Sequence, residues 1–214
     1  SRAVYSNADV SPFNFEGDSK LDGELAHLNL EQLSGFAYQG VPLGELVLPA
    51  ARWILRRHHL QDDPVTRRIL REYIRSAWSL KNQFEALLDT VKPSAAVVYN
   101  GMMYPEAVAR WVGRQKGLPV YSYEVGLRPL SAFFTSGDAT AYPLELPAGF
   151  ELSEEQNARL DAYLQQRFEG NFIMAGVKFW PEMSRLDKDF LELASHFQQV
   201  VPIFTNVIFD TSQP

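Results

Sequence analysis

The pattern of hydrophobic and polar positions changes after about ninety residues, from helical spacing to short apolar runs. The clearest helix follows Asp62-Asp63-Pro64, where apolar residues recur with a period of 3.6 as far as Leu88. Asp63 is placed to cap the free N–H groups, and Pro64 suits the first helical position. The spacing therefore predicts one long helix from about residue 64 to 90.

Two weaker helices are predicted before this one. Residues 24 to 39 have loose helical spacing and stop at Gly40. Residues 44 to 59 have better spacing, and His58-His59 would end this helix. Pro49 fits such a helix only in its first turn or at a kink, because proline lacks an N–H donor.

Beyond residue 92 the pattern predicts a strand, a helix and a second strand. Residues 94–99 (SAAVVY) and 119–123 (PVYSY) are short and apolar, as buried strands are. Between them, residues 105 to 116 have helical spacing, with Pro105 at the start and Gly117 as the stop. Tight turns between these elements predict a βαβ unit, in which the two strands are parallel neighbours.

The rest of the chain predicts fewer and shorter elements. Phe133-Phe134 lies in a loop or irregular strand, whereas Ser153 and Gln156 form a capping-box signature for a helix to about residue 168. A further helix is predicted over residues 187–198, followed by a buried strand over residues 200–207. Because a strand needs a sheet to join and the chain stops soon afterwards, we expect it to be a fragment of a longer protein.

Composition and charge exclude several classes of protein. The 214 residues are 46% hydrophobic and 21% charged, which excludes intrinsic disorder. The net charge is −6 and lysine and arginine do not gather into one stretch, so a nucleic-acid partner is not expected. The absence of cysteine excludes disulfides and thiolate chemistry and fits a cytoplasmic location. No apolar run is long enough for a membrane helix, which leaves peripheral attachment to a membrane open.

The candidate chemistry lies at the carboxyl ends of the two predicted strands, where ligands bind in open α/β sheets. Asn100-Gly101 follows the first strand, and Glu124-Val125-Gly126 follows the second. If the strands are parallel neighbours, Asn100 and Glu124 lie side by side at one crevice. Gly126 would let the backbone turn sharply or approach a ligand closely.

Glu124 is the candidate proton acceptor at this edge. Burial among the apolar and aromatic residues before it would favour proton uptake from a hydroxyl group. Two structural roles stay open for this carboxylate: pairing with Arg128, or capping a turn. Asn100 is likewise either a turn residue or a substrate contact.

Other motifs suggest chemistry that simpler roles explain. His58-His59 has no third metal ligand in view, and Asp187-Lys188-Asp189 fits the acidic start of a helix, so no metal site is expected. The chain contains neither a Gly-x-Gly-x-x-Gly motif nor a Walker A loop, which argues against dinucleotide-binding and P-loop proteins.

Together these motifs resemble those of a known group of enzymes. The block VVYNGMMYPEAVARWVGRQKGLPVYSYEVG, followed later by VPIFTNVIFD, resembles bacterial glycosyltransferases related to capsule polysaccharide biosynthesis proteins. The resemblance extends over about half the chain, includes the upstream stretch Gly40-Val41-Pro42-Leu43-Gly44-Glu45-Leu46, and is carried by short motifs. They are Asn100-Gly101, Pro105-Glu106, Gly117-Leu118-Pro119-Val120, Glu124-Val125-Gly126, Phe204-Thr205-Asn206-Val207 and Asp210.

The resemblance implies a Rossmann-like domain with a parallel sheet flanked by helices, the N-terminal half of a GT-B glycosyltransferase. Residues 1–182 would form the acceptor-side domain, and residues 183–214 a linker and the first strand of a donor domain. Some bacterial sialyltransferases of this architecture carry an acidic-acidic-Gly motif that supplies the general base. Here Val125 replaces the second acid, so the role of base rests on Glu124 alone.

The implied reaction is inverting and metal-independent, with no cofactor. Its substrates would be a nucleotide-sugar donor and a glycan acceptor. Asn100 and Arg128, with the two glycines Gly101 and Gly126, would contact the acceptor side, and Thr205-Asn206 the donor phosphates. Two alternatives stay open: a non-catalytic α/β module that binds a sugar or nucleotide, and another sugar-nucleotide enzyme, either an epimerase or a polyol-phosphate transferase.

Overall fold

The computed structural model describes residues 8–126, 130–141, 146–169, 173–174, 177–178, 187–199 and 201. These residues belong to two compact units. The first unit lies within Ser1–Tyr123 and Thr135–Ala141, and the second within Glu124–Phe134 and Tyr142–Val207. The predicted domain boundary between residues 182 and 183 lies outside the described residues.

The first unit opens with two short helices, of which only the second lies wholly within residues 24–39, where a single helix was predicted. They are α1 (Ser19–Leu25) and α2 (Leu30–Ser34). Asp18 caps α1 by accepting hydrogen bonds from two backbone N–H groups. Asn29 and Gln32 form a capping box that begins α2. The prediction was wrong because it followed apolar spacing and passed over these two polar caps.

The third helix, α3, runs from Leu43 to Leu55 and is shorter than predicted. Arg56 ends it in the left-handed conformation, with φ of 53°. His58-His59 therefore lies after α3 and does not end it. Pro49 lies inside α3 and beyond its first turn, so the helix continues through a position where proline provides no N–H donor.

The long helix α4 (Pro64–Val91) confirms the strongest prediction from the sequence. Its 28 residues span about 42 Å at 1.5 Å per residue. The Asp63 side chain accepts a hydrogen bond from the Thr66 backbone N–H, and Pro64 begins the helix. Helix α4 packs against α1, α2, α3 and α5 (Glu106–Gln115) and contributes Leu70, Ile74 and Ala77 to the core.

The predicted strand–helix–strand unit is present. Strands β1 (Ala96–Tyr99) and β2 (Val120–Val125) are parallel, with register from Ala96↔Val120 to Tyr99↔Tyr123, and α5 lies between them in sequence. Strand β3 (Ala132–Thr135) completes a sheet of order β1-β2-β3. Strand β2 extends two residues further than predicted, so Glu124 is part of a strand and not of a turn.

The other described elements are short, apart from one helix. A 3-10 turn covers Ala139–Ala141, helix α6 covers Glu154–Phe168, and helix α7 covers Lys188–Ser195. Strands β4 (Ile173–Met174) and β5 (Val177–Lys178) form an antiparallel pair. The predicted capping box of α6 is confirmed, whereas the predicted strand over residues 200–207 lies outside the described residues except for residue 201.

The fold class is therefore α/β, with a small sheet that contains one parallel pair. Residues of β1 and β2 alternate between the two faces of the sheet, and Val98, Val120 and Ser122 are buried on one of them. The opposite face carries Val97, Tyr99 and Tyr121, which are 43–58% exposed. No described helix is both long enough and apolar enough to cross a membrane.

Candidate active site at the carboxyl ends of the parallel strands

The backbone turns sharply where β1 ends. Asn100 and Gly101 have φ angles of 57° and 82°, two successive residues in the left-handed region. Asparagine tolerates this region better than most residues, and glycine adopts it freely. The Asn100 side-chain oxygen accepts a hydrogen bond of 2.9 Å from the Met102 N–H. The backbone N–H of Asn100 donates to the Tyr123 carbonyl at 2.8 Å. The turn is thus fixed to the end of β2.

Gly101 is required at this turn for space as well as for conformation. A Cβ atom at this position would lie 3.0 Å from Cδ of Arg110 and 3.2 Å from Cβ of Ser122. The missing side chain lets the stem of Arg110 pass beside the turn. The Asn-Gly pair predicted from the sequence therefore has a clear structural role, and its contact with a substrate stays a prediction.

Arg110, on α5, is the buried cation of this region. Its side chain is 8% exposed. One terminal nitrogen donates to the Gly137 carbonyl at 2.9 Å and to the Asp138 carboxylate at 2.5 Å. The other lies 3.5 Å from both the Gly101 carbonyl and the Met102 sulfur. Arg110 therefore connects the turn after β1 to residues 137–138.

Ser122 holds the same segment from the other strand. Its hydroxyl donates a hydrogen bond of 2.7 Å to the Gly137 carbonyl, which also accepts from Arg110. Arg114, one turn further along α5, donates to the Ser136 carbonyl at 2.9 Å. Three polar side chains thus fix a loop whose own sequence has no strong structural signal.

A cavity of about 360 Å³ opens between α3 and α5, next to the turn after β1. This volume is near the lower end of the range for small-molecule sites. Its walls combine apolar and polar side chains, as such sites do. The lining residues that distinguish it are Glu45, Pro49, Met102, Arg110, Trp111 and Arg114.

Glu124, the predicted base, is a buried carboxylate in β2 with 9% of its surface exposed. Its Oε2 accepts a hydrogen bond of 3.2 Å from the N–H of Val125. It directly follows Tyr123, the residue of β2 that is in register with Tyr99 at the end of β1. The alternative pairing with Arg128 lies outside the described residues.

Gly126 packs closely against another protein residue, and the close approach to a ligand expected of it stays a prediction. A Cβ atom here would lie 2.1 Å from the Ser131 hydroxyl oxygen. The Gly126 N–H also donates to the Ser131 carbonyl at 2.8 Å. The packing of Ser131 thus accounts for a glycine at this position.

Three predicted site residues, Arg128, Thr205 and Asn206, lie outside the described residues. The two motifs that suggested metal binding, His58-His59 and Asp187-Lys188-Asp189, lie within the described residues. Asp187 caps α7 by accepting from the Asp189 N–H at 2.9 Å, so this acidic pair begins a helix, as expected. Within the described part of the chain, no three histidine or acidic side chains are grouped closely enough to hold a metal ion.

Arg110 and Asp138 were not singled out in the sequence. The available signal was the position of Arg110 between buried residues of a helix, Ala107 and Val108 before it and Val112 after it. A cation in such a stretch needs a partner, because unpaired buried charge is costly. The partner Asp138 is 28 residues away, in a loop, and spacing alone cannot identify it.

Comparison of the chain with models of protein families, with curated proteins and with solved structures finds no match.

Proposed function

We propose that the chain is the acceptor-side portion of a GT-B glycosyltransferase that builds a surface polysaccharide or glycoconjugate in the cytoplasm. The reaction transfers a sugar from a nucleotide donor to an acceptor hydroxyl with inversion, without a metal ion. Glu124 is its general base. The proposal rests on the motifs at the two strand ends and on the location of Glu124.

The observation that carries the proposal is a buried carboxylate at the carboxyl end of a parallel strand. Ligands of open α/β sheets bind at this edge, and catalytic carboxylates are commonly buried. Glu124 is 9% exposed, close to the end of β2. The neighbouring strand β1 ends in the Asn100-Gly101 turn, where backbone and side-chain polar groups are fixed before any ligand binds.

In the proposed step, Glu124 accepts the proton of the acceptor hydroxyl as its oxygen attacks the anomeric carbon. The new bond joins that oxygen to the carbon, and the bond between the carbon and the donor phosphate breaks. The phosphate oxygen takes the electron pair, and the nucleotide leaves as an anion. Asn100 and Arg128 orient the acceptor, while Thr205-Asn206 contacts the donor phosphates.

Replacing Glu124→Gln in the full-length protein tests the role of base. Glutamine keeps the size and hydrogen-bonding capacity of the side chain and cannot accept the proton. We expect sugar transfer to fall by about 10²- to 10⁴-fold. The measurement is release of nucleotide from a panel of UDP-, GDP- and CMP-linked sugars, with a bacterial glycan extract as acceptor.

The matched control is Glu151→Gln, an exposed carboxylate in the same unit. This variant is expected to retain full transfer, and both variants should keep the thermal unfolding midpoint of the parent. Transfer by Glu124→Gln at the parent rate would contradict the role assigned to Glu124.

A second candidate is a non-catalytic module that binds a sugar or nucleotide. The cavity between α3 and α5 favours it, because a tryptophan, an arginine and a carboxylate on its walls suit the apolar and hydroxyl faces of a sugar. The same assay separates the two functions. Glycan binding without nucleotide release from any donor of the panel would favour the module.

A further inference from the structure

One region of the sequence is strongly basic in an otherwise acidic protein. Between residues 46 and 75 the chain carries seven arginines and three acidic residues, a net charge of +4, whereas the whole chain has −6. This region corrects the expectation that basic residues do not gather in one part of the chain. It covers most of α3, the first half of α4 and the loop between them.

Two large apolar side chains are exposed in the middle of this basic region. Trp53 and Ile54, in the last turn of α3, are 48% and 58% exposed. Isolated apolar residues on a surface are ordinary. Here a tryptophan and an isoleucine are adjacent at a helix end, and two arginines and two histidines follow within five residues.

Part of the positive charge has no ion-pair partner among the residues that the structure describes. Arg57 lies 3.6 Å from Asp63, and Arg67 lies 3.4 Å from Asp62. These two pairs occupy both acidic residues of the loop. Among the described side chains, no carboxylate forms an ion pair with the remaining arginines at this end of the helices, which are Arg52, Arg56 and Arg68.

We propose that this surface, formed by Trp53, Ile54, Arg56 and Arg68, binds the surface of a membrane that contains anionic lipids. Exposed tryptophan and isoleucine side chains enter the boundary between headgroups and acyl chains. The arginines contact the lipid phosphates, to which cationic side chains are attracted. This inference is independent of the proposed transferase activity.

A lipid surface fits these observations better than a nucleic acid. Nucleic acids attract arginine and lysine but provide no apolar layer for an isoleucine next to a tryptophan. The remainder of the chain is also acidic, which opposes binding to a long polyanion. A bilayer offers both negative charge for the arginines and apolar depth for the tryptophan and isoleucine.

The test is co-sedimentation with vesicles at low and high salt. One vesicle preparation contains phosphatidylcholine alone, and the other contains one third phosphatidylglycerol. We expect the protein to sediment with the anionic vesicles only, and less so at high salt. Arg56→Gln and Arg68→Gln should each weaken binding by about fivefold. Trp53→Ser and Ile54→Ser should weaken it at both salt concentrations.

The end of α4 supplies matched controls. Lys92, like Arg56, is an exposed cation that ends a helix in the left-handed conformation, and Val91 is 61% exposed beside it. Lys92→Gln and Val91→Ser should leave vesicle binding unchanged. Failure to sediment with anionic vesicles would overturn the proposal, as would an equal loss in the control variants. Salt-sensitive binding to a DNA or RNA duplex without binding to vesicles would overturn it in favour of a nucleic-acid surface.

Discussion

At the scale of single residues, the turn after β1 depends on two successive positive φ angles. Asn100 provides the first with a side chain that accepts a hydrogen bond from Met102, and Gly101 provides the second without any side chain. The backbone conformation and the space occupied by Arg110 therefore both require a glycine at residue 101. A substituent there conflicts with both.

Gly101→Ala is expected to destabilise the protein by about 1–3 kcal/mol, because alanine is strained at positive φ. Its methyl group would also displace Arg110 or Ser122. Urea unfolding followed by circular dichroism measures the loss. Gly23→Ala is the control: it lies in α1 with no atom within 4 Å of the added Cβ, and we expect it to stabilise by about 0.4–1 kcal/mol. Equal effects in the two variants would contradict the account of the turn.

The sequence predicted the Asn-Gly turn because residue type alone carries that signal. For Gly126 it predicted a sharp turn or a close approach to a ligand, and the close packing against Ser131 was not foreseen. The contact between Arg110 and Asp138 was missed for a related reason. It depends on where a loop folds back in three dimensions, and local propensity does not contain that information.

At the scale of elements, capping side chains mark the start of helices α1, α2, α4, α6 and α7. At Asp63 the capping hydrogen bond also changes the pKa of the side chain. The Thr66 backbone N–H donates to its carboxylate, which holds the pKa of Asp63 below its ordinary value of 3.8. A carboxylate whose pKa is lowered by folding stabilises the folded state fully when the pH is above the pKa of the unfolded chain. This contribution is lost as the pH falls through the pKa of the folded state.

Asp63→Asn isolates this contribution, since asparagine also caps helices but does not titrate in this range. The parent protein should gain more stability than the variant as the pH rises from well below 3.8 to neutral. Urea unfolding of both proteins at pH 3 and pH 6 measures the difference. The same difference in free energy of unfolding at the two pH values would contradict a lowered pKa at Asp63.

The long helix and the capping box of α6 were predictable because apolar period and cap agree there. The split between α1 and α2 was not, because loose apolar spacing continues across Asn29 while its side chain begins a new helix. Similarly, α3 ends at Leu55, whereas the sequence predicted a helix over residues 44–59. A side-chain cap at Asn29 begins α2, and Arg56 leaves the helical conformation with φ of 53°, and apolar spacing predicts neither.

At the scale of the whole molecule, the two parallel strands have one face buried and one face largely exposed. Parallel sheets in α/β proteins are ordinarily covered on both faces. The sequence predicted both strands as short apolar runs, as buried strands are, and did not indicate that Val97, Tyr99 and Tyr121 would be exposed on one face. The pairing of β1 with β2 was predicted, whereas the pairing of β2 with β3 was not.

Helices α4 and α6 are expected to differ in how easily they unfold locally. Helix α4 packs against four other helices, and its central residues Leu70, Ile74 and Ala77 are fully buried. Helix α6, in contrast, is exposed along almost its whole length. Amide hydrogen exchange depends on such local opening. We expect the amides of α6 to exchange with deuterium rapidly through local fluctuations. The amides in the middle of α4 should exchange only when the first unit unfolds as a whole. Mass spectrometry of peptides from the two helices would measure both rates.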